Sequence, residues 1–413
     1  MPILLEHLPK HLHMKNIKLL TAIVAASFIL FIGCKKEKES SSSYRSKELR
    51  PANQAVVKIF RPTPAALEKF NKLKALLPAN FQKKLQENAK LTLKQHPEYR
   101  TLIRQALKLE ASACNNNTTL NQWLGGQLSD WDEGVIYFVL ATGMLDLPAY
   151  DALIFENSSA NQRFGVNSEY TQRLTKTFKD LQRFWNIQTQ NIVMVAMHGS
   201  TLTDRPKMIR TYRAAFGLSP ANAEFYADFV LTLLDVFPQY RGGNHPIFTF
   251  NAFAQPSFNF PPNGVIPDKI VMGDGILEAY TAIGFGDVAP QAILAHEMGH
   301  HIQFQLNLFT DENSPEATRR TELMADAYAA YYLSHSRGAS MQWKRVQQFL
   351  QVFFNIGDCS FNSDGHHGTP TQRMAAAEWG YRVANNAQKQ GYILTAQQFT
   401  ALFEVELPRL VTY

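Results

Sequence analysis

Cysteine is scarce, three in 413 residues, too few for the bridged scaffold of a small secreted domain. Cys34 has its own explanation below. Cys114 and Cys359 leave two readings open, one disulfide in an oxidising compartment or two buried thiols. Charge is sparse as well. Charged residues make up 18% of the chain and hydrophobic ones 45%, which excludes a disordered polypeptide and leaves material for a substantial core. No stripe of Lys and Arg interleaved with aromatics occurs. Part of the +6 net charge sits near the N-terminus, in Lys15, Lys18, Lys35, Lys36 and Lys38. Nucleic acid is therefore not an expected partner. No internal repeat is found, so a solenoid is not expected either.

The N-terminal segment carries an address. Residues 14–34 have a basic start, an apolar run over 19–32 and then Gly33-Cys34, the parts of a secretory signal. The run is short of the about 20 residues that a membrane span needs. Its end resembles a bacterial lipobox, with Phe31 where Leu is usual. That resemblance implies cleavage before Cys34, lipid attachment there, and an exported protein held on a membrane of the bacterial cell envelope. An uncleaved N-terminal anchor is the other reading. The signal is complete from Met14, so residues 1–13 would come from a start assigned too early. Lys and Glu follow Cys34, then four serines up to Ser43. Such a stretch buries nothing and reads as a flexible tether.

Beyond it the chain reads as helical. Leu67, Phe70, Leu73, Leu76 and Leu77 recur at helical spacing within residues 64–109. Residues 123–147 suggest one or two helices. Residues 170–185 place Leu174, Phe178, Leu181 and Trp185 on one side, and 210–216 and 221–237 continue the pattern. Residues 192–197 form a short apolar run, strand or helix start, with His198 beside it read as structural. Past Pro246 the character changes. Residues 247–254 alternate and favour strand, Pro261-Pro-Asn-Gly264 signals a turn, and 269–272 suggest a second strand. Residues 251–254 are either an edge strand along a cleft or, with 269–272, two ordinary strands of a small sheet.

The chemistry lies further on, in Ala292-Ile-Leu-Ala-His-Glu-Met-Gly-His-His-Ile-Gln303. His296 and His300, four apart on a helix, share a face and can reach one ion. Glu297 then lies beside the ion, where it can take a proton from water. Gly286 or Asp287 is the expected cap, Pro290 fits the first turn, and Ile293, Leu294, Met298 and Ile302 supply an apolar face. Gln303 and Leu306 stand where a longer Gly-and-His motif would continue, so a third ligand must come from elsewhere. Glu322 and Asp326 share a face of a second helix, 22 residues beyond His300. Glu322 suits the metal and Asp326 the outer N–H of a ligand histidine. Downstream, His366 and His367 lie in a Gly-rich stretch. They read as exposed turn residues or as a hydrogen-bond donor to a developing oxyanion.

Five ordered segments together resemble the neutral zinc metallopeptidase family of YpfJ-like proteins. They are Gly286-Asp-Val-Ala289, residues 295–303, residues 322–329, Ile356-Gly-Asp358, and His367-Gly-Thr-Pro-Thr-Gln-Arg373; the likeness covers about residues 267–380. Asn251-Ala252-Phe253-Ala254 resembles the edge-strand motif of HtpX and CAAX-protease-like gluzincins. The chain departs from the first family in its long helical N-terminal half, in Ala327 for Cys and in Cys359 for Asp. The resemblance implies a Zn²⁺ cofactor on His296, His300 and Glu322, Glu297 as general base, His367 as oxyanion stabiliser, and a peptide or protein substrate laid along residues 251–254.

The expected fold is α+β, a mainly helical zincin-like metallopeptidase with a small sheet packed on the motif helix. Expected regions are a signal peptide at 1–33, a tether at 34–60, an α-rich region at 61–240 and the metallopeptidase domain at 241–413. A rival expectation is a non-catalytic envelope lipoprotein that uses the same fold as an assembly module. An intact Glu297 argues against it, since a structural metal needs no base. A further rival is a metal-dependent hydrolase acting on something other than peptides.

Overall fold

The computed structural model describes residues 68, 87–91, 118–310, 314–355 and 367–412. The signal and tether, Cys34, Cys114, Cys359, residues 356–358, His366 and nearly all of the amphipathic stretch 64–109 lie outside these residues. The described chain is α+β and mainly helical, with a small sheet.

After the helical residues 87–91 come helices α1 (Thr119–Gln127), α2 (Glu133–Thr142) and α3 (Leu147–Phe155). The stretch 123–147 spans the end of α1 and all of α2, within the one or two helices that its pattern suggests. The break between α2 and α3 follows from Gly143, whose positive φ of 70° ends α2. Residues 134–155 are long and apolar enough to cross a membrane, but 89% of the most apolar part is buried in the fold. Helix α4 (Thr171–Phe184) buries Leu174, Phe178 and Leu181, as its periodicity demands. Strand β1 (Val193–Met197) settles the ambiguous apolar run as strand, and α5 (Arg205–Ala214) and α6 (Pro220–Val236) follow.

The alternating run 247–254 is strand only at its end. Pro246–Thr249 form a 3₁₀ turn and β2 covers Ala252–Gln255. Pro246 presets the turn, and the His245 ring accepts from the Ile247 N–H at 3.1 Å. β3 (Phe258–Asn259) and β4 (Val265–Ile266) pair across the turn that holds Pro261 and Pro262, and β5 (Lys269–Gly273) returns to the main sheet.

That sheet has the order β1-β5-β2, with β1 parallel and β2 antiparallel to the central strand. Both faces are covered. Met194, Ala196, Ile270 and Met272 join the large core, while Val195, Met197, Phe253 and Val271 pack with Ala152 and Leu153 of α3. Burial on two faces explains why β1 and β5 read as apolar runs instead of alternating. The sheet and the large core both run across residue 240, where a change of region is expected from the sequence.

Helices α7 (Asp274–Ala282), α8 (Ala289–Gln305), α9 (Pro315–Ser334), α10 (Trp343–Asn355), α11 (Pro370–Gln390) and α12 (Ala396–Leu410) complete the described chain. α8 is buried on most sides, not on one stripe. It packs against α4, α9 and the sheet, and His301 Nε2–H donates to the Lys269 carbonyl of β5 at 3.0 Å.

Candidate metal centre

The first two donors come from α8, whose first turn holds Pro290, as the sequence suggests. Its cap does not follow expectation: Val288 occupies the position with no side-chain bond. Asp287 is exposed and faces Arg173 and Arg345 instead, at 3.5 and 3.1 Å. The third donor comes from α9. Ser314 caps that helix by accepting from the Ala317 N–H, and Pro315 takes the first turn. Contacts join 300 with 322, 299 with 325 and 296 with 326, so α8 and α9 run antiparallel. Gly299 permits the approach. A Cβ there would lie 3.0 Å from the Ala325 Cα.

His296, His300 and Glu322 thereby converge. Nε2 of His296 and Nε2 of His300 are 3.1 Å apart, and they lie 3.3 and 3.4 Å from the two Glu322 oxygens. Bonds of about 2.0–2.2 Å to one tetrahedral ion would place donors roughly 3.3 Å apart. The outer ring nitrogens are committed. His296 Nδ1–H donates to Asp326 at 2.9 Å and His300 Nδ1–H to Gln303 Oε1 at 2.8 Å. Gln303 is itself held by donating to the Thr321 carbonyl at 2.6 Å. Both rings therefore turn an Nε2 lone pair towards the same point, the tautomer a metal ligand needs.

Charge supports the same reading. Glu297, Glu322, Asp326 and Arg373 are all buried. Three carboxylates against one guanidinium leave two negative charges uncompensated when the imidazoles are neutral. Burial alone would lower the proton affinity of His296, yet Asp326 and Glu322 raise its pKa to about 10. The same field favours a divalent cation. Burial alone would raise Glu322, but the neighbouring His367, His300 and His296 hold it well below the usual carboxylate range. The buried group can hold a metal ion.

Glu297 is buried beside these residues without being one of the convergent donors, and burial raises its pKa. His367 lies at the centre and not in an exposed turn. Its Nδ1 is 3.0 Å from Glu322 Oε2. Arg373, one helical turn into α11, donates through Nη2 to Asp326 at 2.8 Å and through Nε to the same carboxylate. Its Nη1 donates to Glu322 at 3.1 Å. One planar cation thus fixes both the third donor and the partner of the first.

Arg373 and Gln303 stand within the sequence motifs, but nothing in their spacing alone assigns them a role. The signal available was a long polar residue at the end of each motif, at helical spacing from a histidine or a threonine. Asn251 precedes β2 and is buried, with neither side-chain amide atom hydrogen-bonded among the described residues. Ala252, Phe253 and Ala254 lie on an edge strand, as expected from the sequence, but they too are buried. The edge is therefore covered, and an extended peptide would have to displace what covers it. His198 is not part of the centre.

No family model, curated protein or solved structure matches the chain. The functional reading rests on this geometry and on the motifs.

Proposed function

We propose that the chain is a zinc-dependent metallopeptidase of the gluzincin type with a zincin-like fold, exported and held on a membrane of the cell envelope by lipid on Cys34. The observation that carries the reading is the convergence of His296, His300 and Glu322 with both outer imidazole nitrogens committed, while the adjacent Glu297 is left over. A structural site has no use for that fourth group. Bound zinc would polarise the scissile carbonyl and lower the pKa of water to about 7.

The chain's own residues supply the rest. Glu297 takes the proton of the attacking water and passes it to the leaving amine. Asp326 and Gln303 keep the two ligand rings in orientation, and Arg373 holds Glu322 and Asp326 in register. His367, standing against Glu322, is placed to hydrogen-bond charge that develops on the carbonyl oxygen. Peptide is favoured over other substrates because the β2 edge offers main-chain groups once uncovered.

Metal content and casein cleavage, measured on the full chain and on Glu297→Gln, test this. Zinc near one per chain in both, with cleavage by the wild type alone, is the expected result. Zinc in both without any cleavage would favour the assembly-module alternative. A chain that binds no zinc would overturn the reading.

A further inference from the structure

A second polar site lies away from the metal centre and shares no residue with it. β1 and β5 are parallel and in register, Met197 opposite Gly273. The residues that follow, His198 and Asp274, therefore emerge together at the carboxyl ends of the two strands. They meet there, with His198 Nδ1 2.7 Å from Asp274 Oδ2. In open α/β sheets this is the edge where ligands are commonly held.

The edge opens into a cavity of about 210 Å³. Its lining includes Asp151 of α3 and Glu156, which follows that helix. Gln162 and Arg163 of a loop, with Thr201 and Lys207, also line it. The loop is fastened to β1. Ser159 Oγ accepts from the Met194 N–H and Gln162 Oε1 from the Ala196 N–H, both at 2.9 Å. Arg163 is thus carried on an anchored segment and not on a free one.

The acids of the cavity are already matched. Asp151 accepts from Arg210 Nε at 2.7 Å and from Thr211 at 3.2 Å; Glu156 lies 3.6 Å from Arg210 and 3.5 Å from Lys207. The donors are not. Arg163 has no hydrogen bond or ion pair among the described residues, and neither has Nε2 of His198. The hydrogen bond that His198 Nδ1–H donates to Asp274 outweighs burial and raises the proton affinity of the ring, which favours an N–H at Nε2 more than in a free imidazole. Thr201 adds a hydroxyl. Unmatched positive and N–H groups around a closed set of carboxylates call for an anion.

From these placements we propose that the cavity is a binding site for a small oxyanion, a carboxylate or a phosphate group, held by Arg163, His198 and Thr201. The cavity is smaller than the roughly 300–1,000 Å³ of sites for drug-sized ligands, which fits a small anion and not an extended peptide.

Isothermal titration of the full chain with inorganic phosphate and, separately, with acetate tests it, at fixed ionic strength set with chloride. Saturable binding of at least one anion is expected, weakened about tenfold or more in Arg163→Ala and in His198→Gln, and unchanged in the metal-centre variant His300→Ala. Binding of phosphate alone would assign the phosphate source, and binding of acetate alone the carboxylate. Arg163 is exposed, so its replacement leaves the fold intact, which circular dichroism would verify. No saturable binding of either anion would overturn the proposal. So would binding that survives both cavity variants or disappears in His300→Ala.

Discussion

Asp326 serves two partners, accepting from His296 Nδ1–H and from Arg373. Asp326→Asn keeps the shape but loses charge, so metal affinity should fall by about 10–100-fold. Competition against a chromophoric chelator would measure this, and unchanged affinity would show that Asp326 does not orient His296. A different residue governs acid stability. His245 is buried, with Nε2–H donating to the Gln127 carbonyl and Nδ1 accepting from the Ile247 N–H. Burial lowers its pKa to about 4, with Arg241 contributing. Because the folded pKa lies below the unfolded one of about 6.5, this contribution is fully present above pH 6.5. It is lost as pH falls through about 4, and amounts to at most about 3 kcal/mol. Urea midpoints taken between pH 7 and 4 should fall for the wild type. They should fall less steeply for His245→Asn, which keeps an acceptor for Ile247 and cannot charge.

Among elements, the α9–α11 crossing decides whether Arg373 reaches α9. Gly380 makes that crossing close, since a Cβ there would lie 2.3 Å from the Ala327 carbonyl oxygen. A backbone atom cannot step aside as a side chain can. Gly380→Ala should therefore cost about 1–3 kcal/mol and also weaken metal binding, by moving Arg373. Chemical denaturation and chelator competition on one variant would separate the two effects. Loss of stability with metal affinity intact would show that α11 does not hold the centre.

At the scale of the whole molecule, a metal ion would tie α8 to α9 and offset the carboxylates crowded between them. An ion that binds only the folded chain stabilises it by about 2.7 kcal/mol at a free concentration 100 times its Kd. Chelation should accordingly lower the thermal midpoint of the wild type, zinc should restore it, and His300→Ala should respond to neither. A midpoint indifferent to chelator in the wild type would mean that the donors hold no ion.

The donor residues were legible in the chain because the helix repeat is local. A spacing of four puts His296 beside His300 and Glu322 beside Asp326 whatever surrounds them. The amphipathic α4 and the turn at Pro261 were legible for the same reason. Other features were not. Whether 192–197 made strand or helix depended on burial on both faces, and the strand in 247–254 was confined to its end by Pro246 and the His245 ring. The covered state of β2, the exposure of Asp287 and the pairing of His198 with Asp274 were settled by what packs nearby. Arg373 reaches Asp326 and Glu322 across 47 and 51 residues, a contact set by how closely α9 and α11 cross at Gly380. The sequence by itself determined which side chains could bind an ion and on which helix faces they stand. Only the tertiary structure decided which buried partners orient them, because those partners are brought close by helix packing and not by their distance along the chain.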